Sequence, residues 1–150
     1  MTARKLIIVL ALILFPAACL PGLGGGIETR EISFQVDERA NDGYAIELDI
    51  VFVFDEALAK TLEAYSARSW FRQKQVLIAS HAGALSVRQR QAPPNSFMKT
   101  VKVSGRERDA VACLLFANYI ARGEHRLRLG GLQKVQILLG PRAVSLATQE

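Results

Sequence analysis

Apolar and polar residues alternate along much of the chain. Ile32, Phe34 and Val36 are separated by polar side chains, and this period of two predicts a strand with one face on a core and the other in water. The segment Asn41-Asp42-Gly43 follows, and its residues tolerate the positive φ of a chain reversal. We expect a hairpin turn or a wider loop there, exposed because the segment is too polar for the core.

A second strand is predicted over residues 44–54, where every even-numbered position is apolar. The odd-numbered positions include Glu47 and Asp49 in the first half of the strand, but Val51 and Val53 in the second half. An apolar residue at every position is typical of a strand that is buried on both faces. Another element should therefore cover the second half of this strand.

The covering element is predicted to be a helical insertion over residues 56–80. Asp55 is a suitable N-cap for a first helix, and Ser66 for a second. Apolar residues recur at helical spacing in both segments. We expect Trp70 and Phe71 to be core residues that dock the insertion on the sheet.

Short strand-like stretches separated by turn residues occupy the rest of the chain. Residues 111–119 are almost entirely apolar, as expected of a central strand. Shorter alternating stretches are found near residues 85–88, 101–103, 126–129, 135–139 and 144–146. Seven or eight short strands with a helical insertion after the second indicate a mainly β fold, a β-sandwich spanning residues 28–150.

Residues 1–18 have the pattern of a cleavable signal peptide. Arg4 and Lys5 precede an apolar run over residues 6–15, and Ala17-Ala18 stand directly before Cys19. The run is shorter than the roughly 20 residues that a membrane-spanning helix needs. We therefore interpret it as a targeting segment that is removed before the domain folds.

The two alanines followed by Cys19 resemble a bacterial lipobox, in which the cysteine is acylated and becomes the first residue of the mature chain. Residues 19–27 then form a glycine-rich tether. Leu20 follows the cysteine in place of the aspartate that commonly retains lipoproteins in the inner membrane, which predicts the outer membrane. The alternative is an ordinary secretory signal, with Cys19 paired to Cys113 in an oxidising compartment.

The composition contains little that points to catalysis or nucleic acid. Half of the 150 residues are hydrophobic, 22% are charged and the net charge is +5, with the basic residues dispersed singly. The sequence contains two histidines, His81 and His125, and no nucleophile elbow, P-loop or zinc motif. Asp49 and Asp55 are best interpreted as solvated or capping groups. We therefore predict no catalytic residue, no metal and no cofactor apart from the covalent lipid.

The order of these features resembles the outer-membrane lipoprotein family of the bacterial type VI secretion system. Residues 39–43 and 111–117 are the closest stretches. The resemblance implies a non-catalytic protein that faces the periplasm and binds the periplasmic part of an inner-membrane partner. In that family the loop between the first two strands contributes to the contact. It maps here onto Arg39, Ala40, Asn41, Asp42, Gly43 and Tyr44. The alternative is that this segment is a plain turn without a binding role, since Asn-Asp-Gly is also what a turn requires.

One local difference and one alternative function remain. Members of the family often carry Trp-Arg late in the domain, where this chain has His125-Arg126, which indicates a divergent or accessory relative. A small periplasmic β domain with a lipid anchor is also typical of immunity or enzyme-inhibitor lipoproteins. The two functions differ in their partner, since one implies a secretion component and the other a soluble enzyme.

Metabolic labelling with a palmitate analogue tests the predicted anchor. We expect the wild-type protein to be labelled and Cys19→Ser to remain unlabelled, because the thiol is the acceptor of the first acyl chains. Cys113→Ser is the matched control and should keep the full label. Equal labelling of wild type and Cys19→Ser would contradict acylation at this position.

Overall fold

Two four-stranded sheets pack face to face in the computed structural model, which describes residues 26–147. The first sheet has the order β4-β1-β7-β8, with β1 (Glu31–Val36), β4 (Val101–Lys102), β7 (Lys134–Leu139) and β8 (Val144–Leu146). The second has the order β3-β2-β5-β6, with β2 (Ile46–Val53), β3 (Leu85–Ala92), β5 (Ala112–Asn118) and β6 (Arg126–Leu129). The predicted mainly β sandwich is therefore confirmed. Cys19 and residues 20–25 lie outside the described residues.

The connection between β1 and β2 passes from one sheet to the other. β1 lies parallel to β7 and antiparallel to β4, whereas β2 lies antiparallel to both β3 and β5. The segment after β1 is therefore a wider loop and not a hairpin turn, because a hairpin would have paired β1 with β2.

The main core fills the space between the sheets with the apolar side chains of alternating positions. It includes Ile32, Phe34, Ile46, Leu48, Ile50, Phe52, Cys113, Leu115, Ile137 and Leu139. Burial raises the pKa of the Cys113 thiol to about 12. The thiol is thus neutral at physiological pH and behaves as a small buried hydrophobic group.

Two helices follow β2 and cover the outer face of the second sheet. They are α1 (Glu56–Glu63) and α2 (Ala67–Ser80). The side chain of Asp55 accepts a hydrogen bond from Leu58 N at 2.7 Å, and that of Ser66 accepts one from Ser69 N at 3.2 Å. Both predicted N-caps, and the helical insertion they begin, are therefore confirmed.

The insertion forms a second apolar cluster with the sheet. Val51 and Val53 of β2 and Leu114 of β5 pack there against Leu62 of α1 and Trp70 of α2. The expectation that the end of β2 is covered on both faces is confirmed. Burial on both faces removes more apolar surface from water than burial on one, which favours the sandwich with its insertion over the sheets alone.

Trp70 is the main contact of α2 with the sheet. Its ring stacks on Phe116 with the centroids 5.0 Å apart and an interplanar angle of 8°. Its Nε1–H donates to Asp49 Oδ2 at 2.8 Å. Trp70 is fully buried, as predicted, whereas Phe71 lies half-buried at the margin of the cluster.

Asp49 is fully buried, so the interpretation of this carboxylate as solvated was wrong. The reason is that α2 lies across its face of β2 and brings Lys74, whose Nζ lies 3.0 Å from Asp49 Oδ2 and 2.6 Å from Glu47 Oε1. Burial by itself lowers the pKa of Lys74, but hydrogen bonds and attraction from the two carboxylates outweigh it and raise the pKa. Lys74 therefore stays charged and neutralises the buried Asp49.

Substitution of Trp70 tests this docking contact. Trp70→Ala should lower the free energy of unfolding by about 3–5 kcal/mol, because it removes a large buried side chain and leaves a cavity. Trp70→Phe should cost less, since an aromatic ring can still stack on Phe116. Urea denaturation followed by circular dichroism measures both, with Phe71→Ala as a partly exposed control. A Trp70→Ala protein as stable as wild type would contradict the assigned role.

Candidate partner-binding surface

Residues 39–44 cross one end of the sandwich between β1 and β2. A 3-10 turn occupies Ala40–Gly43. Within it φ is 51° at Asn41, 54° at Asp42 and 88° at Gly43. The left-handed region is disfavoured for most L-residues but accessible to Asn, Asp and Gly. The three residues are therefore suited to this backbone path.

Asn41 and Ala40 are buried, which corrects the expectation that the Asn41-Asp42-Gly43 segment is wholly exposed. Asn41 is only 3% exposed, and its side-chain Oδ1 accepts a hydrogen bond from Ile120 N at 2.7 Å. Its carbonyl accepts another from Tyr44 N at 3.1 Å. The amide side chain is tolerated in the interior because it satisfies a backbone N–H of the neighbouring loop. These two residues therefore hold the loop in place and offer little surface to a partner.

The exposed members of the loop are Arg39, Asp42, Gly43 and Tyr44. The side chain of Tyr44 is 65% exposed, and Ile120 on the adjoining loop is 57% exposed. Because the Asn41–Ile120 hydrogen bond joins their loops, the structure presents two large side chains with apolar surface at the same end of the sandwich. Sequence reasoning missed Ile120, since it directly follows a buried strand and nothing in its neighbours distinguishes it from a core residue.

A third loop, residues 140–143, supports the other two. Gly140 O accepts a hydrogen bond from Asn41 N at 3.3 Å, and Pro141 O accepts one from Asp42 N at 3.1 Å. The Tyr119 hydroxyl lies 3.1 Å from both Gly140 O and Ala143 O. We call residues 39–44, 119–125 and 140–143 together the three-loop surface. Its backbone is fixed by hydrogen bonds between loops, so its exposed side chains are held in a defined arrangement.

The residues that stand in place of the Trp-Arg pair have structural partners. The His125 ring stacks on Tyr119 with the centroids 4.7 Å apart, and Arg126 Nη1 donates to Tyr65 O at 2.7 Å. Burial, with a smaller contribution from Asp37, raises the pKa of Tyr119. The neutral hydroxyl can therefore remain a donor to the 140–143 loop.

Across residues 26–147, no three His, Cys, Asp or Glu side chains lie close enough together to hold a metal ion. Asp55 caps α1 and Asp49 is paired with Lys74, so the two do not form an acid pair. Neither α1 nor α2 is long and apolar enough to cross a membrane.

The described chain enters the sandwich at the end opposite the three-loop surface. Ile27 N donates to Ala110 O at 3.1 Å, and Glu28 N donates to Gly130 O at 2.8 Å. β1 then runs for six residues, about 20 Å at 3.3 Å per residue, before the chain reaches residues 39–44. Gly26, the first described residue, therefore lies at the end of the sandwich far from residues 39–44.

The fold is that of lipoproteins of the type VI secretion system. Serratia marcescens Lip, a membrane-bound component of that system, has a TM-score of 0.61 at 14% identity, over 80% of this chain and 96% of its own. The Pseudomonas aeruginosa lipoprotein TssJ1 has a TM-score of 0.57 at 14% identity, over 81% and 97%. A chain of a type VI membrane complex has a TM-score of 0.57 at 13% identity, over 81% and 99%.

These similarities are structural. No sequence-family model matches the chain, and no curated protein matches it by sequence. At 13–14% identity the shared feature is the fold, as the resemblance of the sequence had implied.

Asn41→Ala should destabilise the domain by about 0.5–1.5 kcal/mol, because it removes the side-chain acceptor of the part-buried N–H of Ile120. Asp42→Ala is the matched control. It places alanine at a nearly equal positive φ but removes no side-chain hydrogen bond among those within residues 26–147. The difference between the two variants in thermal denaturation isolates the loop-to-loop hydrogen bond. Equal destabilisation by both variants would show that this hydrogen bond contributes nothing.

Proposed function

We propose that this protein is a non-catalytic lipoprotein of a type VI secretion membrane complex. In this proposal Cys19 carries the lipid that anchors it in the outer membrane, and the three-loop surface binds the periplasmic part of an inner-membrane partner. The shared fold with Lip, TssJ1 and the membrane-complex chain supports the class of protein. The lipobox-like residues before Cys19 support the anchor.

The observation that carries the proposal is the placement of the two ends of the domain. The chain enters the sandwich beside Ala110 and Gly130, and residues 39–44 lie at the other end of β1. A domain held to the membrane through its N-terminus would therefore present the three-loop surface away from the membrane. That orientation is the one needed to meet a partner that extends from the inner membrane.

The side chains of the surface suit a protein partner. Tyr44 and Ile120 are largely exposed on a fixed backbone, and an aromatic side chain on a rigid scaffold is a frequent centre of binding energy. Arg39 and Asp42 flank them, and exposed charges at the rim of an interface mainly affect specificity and the rate of association. We expect Tyr44 to contribute most of the affinity.

A titration of the mature chain, in detergent, with the periplasmic domain of the inner-membrane secretion component tests this function. Tyr44→Ala should weaken binding by at least about tenfold, the loss of roughly 1.4 kcal/mol or more typical of a central aromatic contact. Arg39→Ala combined with Asp42→Asn should slow association, since asparagine keeps the positive φ and removes the charge.

Val76→Ala is the matched control, because Val76 is 69% exposed on α2, away from the three loops. It should bind as the wild type does. Wild-type affinity in Tyr44→Ala would remove the three-loop surface from the site. Capture of a soluble cell-wall enzyme with no affinity for the secretion component would favour the inhibitor function instead.

A further inference from the structure

A basic cleft opens along one side of the sandwich, between an edge strand of each sheet. β3 is at the edge of the second sheet and β4 at the edge of the first. The cleft between them has a volume of about 580 Å³. It is lined by Arg88, Arg90, Lys99, Thr100, Val101 and Lys102.

Two arginines occupy positions of β3 that face the first sheet. Arg88 lies opposite Ile50 and Arg90 opposite Leu48 in the β2–β3 pairing, and directly paired residues of an antiparallel ladder project from the same face. Ile50 and Leu48 are buried in the core between the sheets. On the face toward the first sheet, β3 thus carries charged side chains where its neighbour β2 carries apolar ones. This side of the sandwich therefore stays open to water.

Arg88 has a structural role within the cleft. Its guanidinium donates to Glu107 Oε1 at 2.6 Å and Oε2 at 2.5 Å, and to Lys102 O at 3.2 Å. It therefore connects β3 to β4 and to the 3-10 turn Gly105–Asp109, and its charge is neutralised by Glu107. The width of the cleft is fixed by these bonds.

The other three cations are not neutralised. Arg90, Lys99 and Lys102 are exposed, and none of them makes an ion pair with another of residues 26–147. Glu31, the partner of Lys102 across the β1–β4 pairing, instead lies 3.9 Å from Lys134. Three like charges around one concave surface create a positive potential that attracts acidic groups.

The backbone of β3 offers a second means of recognition. β3 is eight residues long and pairs with β2 alone, so alternate residues direct their N–H and C=O groups away from the sheet. β4 has only two residues and is too short to cover it. Within this edge the carbonyl of Gln89 accepts a hydrogen bond from Arg90 Nη1 at 2.9 Å. Most of the edge is thus available to an added strand.

We propose that the cleft binds an extended acidic segment of a partner protein, which adds to the free edge of β3 and places its carboxylates against Arg90, Lys99 and Lys102. Backbone pairing alone would accept many sequences, whereas the three cations select for acidic ones. This surface is separate from the three-loop surface, and the inference does not depend on the function proposed for that surface.

A blocked, fluorescein-labelled peptide of eight residues with alternating Glu and Val serves as the probe, titrated with the mature chain and followed by fluorescence anisotropy. We expect saturable binding that weakens by roughly tenfold as salt is raised well above 0.1 M, because screening shortens the reach of the exposed charges. Arg90→Glu combined with Lys99→Glu should weaken binding at least tenfold, and Arg90→Gln combined with Lys99→Gln by a smaller factor.

The matched control is Arg68→Glu combined with Arg72→Glu. It makes the same change of net charge at two exposed positions of α2, and it should leave the affinity unchanged. Equal weakening by the control and cleft variants would overturn the proposal, since only net charge would then matter. Tyr44→Ala should also leave the peptide titration unchanged, so the cleft and the three-loop surface are tested separately.

Two further probes separate strand addition from other kinds of binding. A peptide N-methylated at alternate residues cannot pair with β3, and we expect it to bind at least tenfold more weakly. Unchanged affinity for this peptide would overturn the added strand. Binding to phosphatidylglycerol vesicles without binding to the acidic peptide would overturn the proposal in favour of a membrane surface. If the protein bound neither the acidic peptide nor the vesicles, the proposal would be wrong. The charges would then serve only to prevent the edge of β3 from pairing with the same edge of another copy.

Discussion

The burial of β2 on both faces is the constraint on which the rest of the structure depends. One face packs against the first sheet and the other, from Val51 onward, against the helices. The insertion is thus needed to complete the second sheet. It also holds the β5–β6 loop, because Ala67 N at the start of α2 donates to Glu124 O at 2.7 Å. Packing on the outer face of the sheet thereby supports one of the loops of the candidate site.

Much of the fold could be predicted from the sequence because the patterns that specify its strands and helices each lie within a single segment, although the burial that stabilises them joins distant segments. Alternation in β1, uninterrupted apolar positions at the end of β2, and the N-caps Asp55 and Ser66 each indicate an element without knowledge of its partners. The prediction failed at Asp49, whose burial depends on Lys74 and Trp70 some twenty residues further along the chain. A buried charge is tolerated only with a partner, and spacing alone does not reveal that partner.

The sequence identified one loop of the candidate site, but not the directions of its side chains or the other loops that adjoin it. The turn chemistry of residues 41–43 and the family resemblance identify the loop, but the inward direction of Asn41 depends on the N–H of Ile120, 79 positions away. The basic cleft could not be predicted from the sequence at all. It requires the order of strands in both sheets, since dispersed cations become neighbours only when β3 and β4 lie at adjacent edges.

The close approach at Gly26 fixes the start of the described chain to the domain. A Cβ atom at this position would lie 1.8 Å from the carbonyl oxygen of Arg108, far inside van der Waals contact, so the backbone there lies against the 3-10 turn with no space for a side chain. Because Ile27 and Glu28 are also hydrogen-bonded to the domain, Gly26 moves with it as part of one rigid body. Any side chain at position 26 would therefore force the start of the described chain away from Arg108 and strain the hydrogen bonds that Ile27 and Glu28 make with the domain.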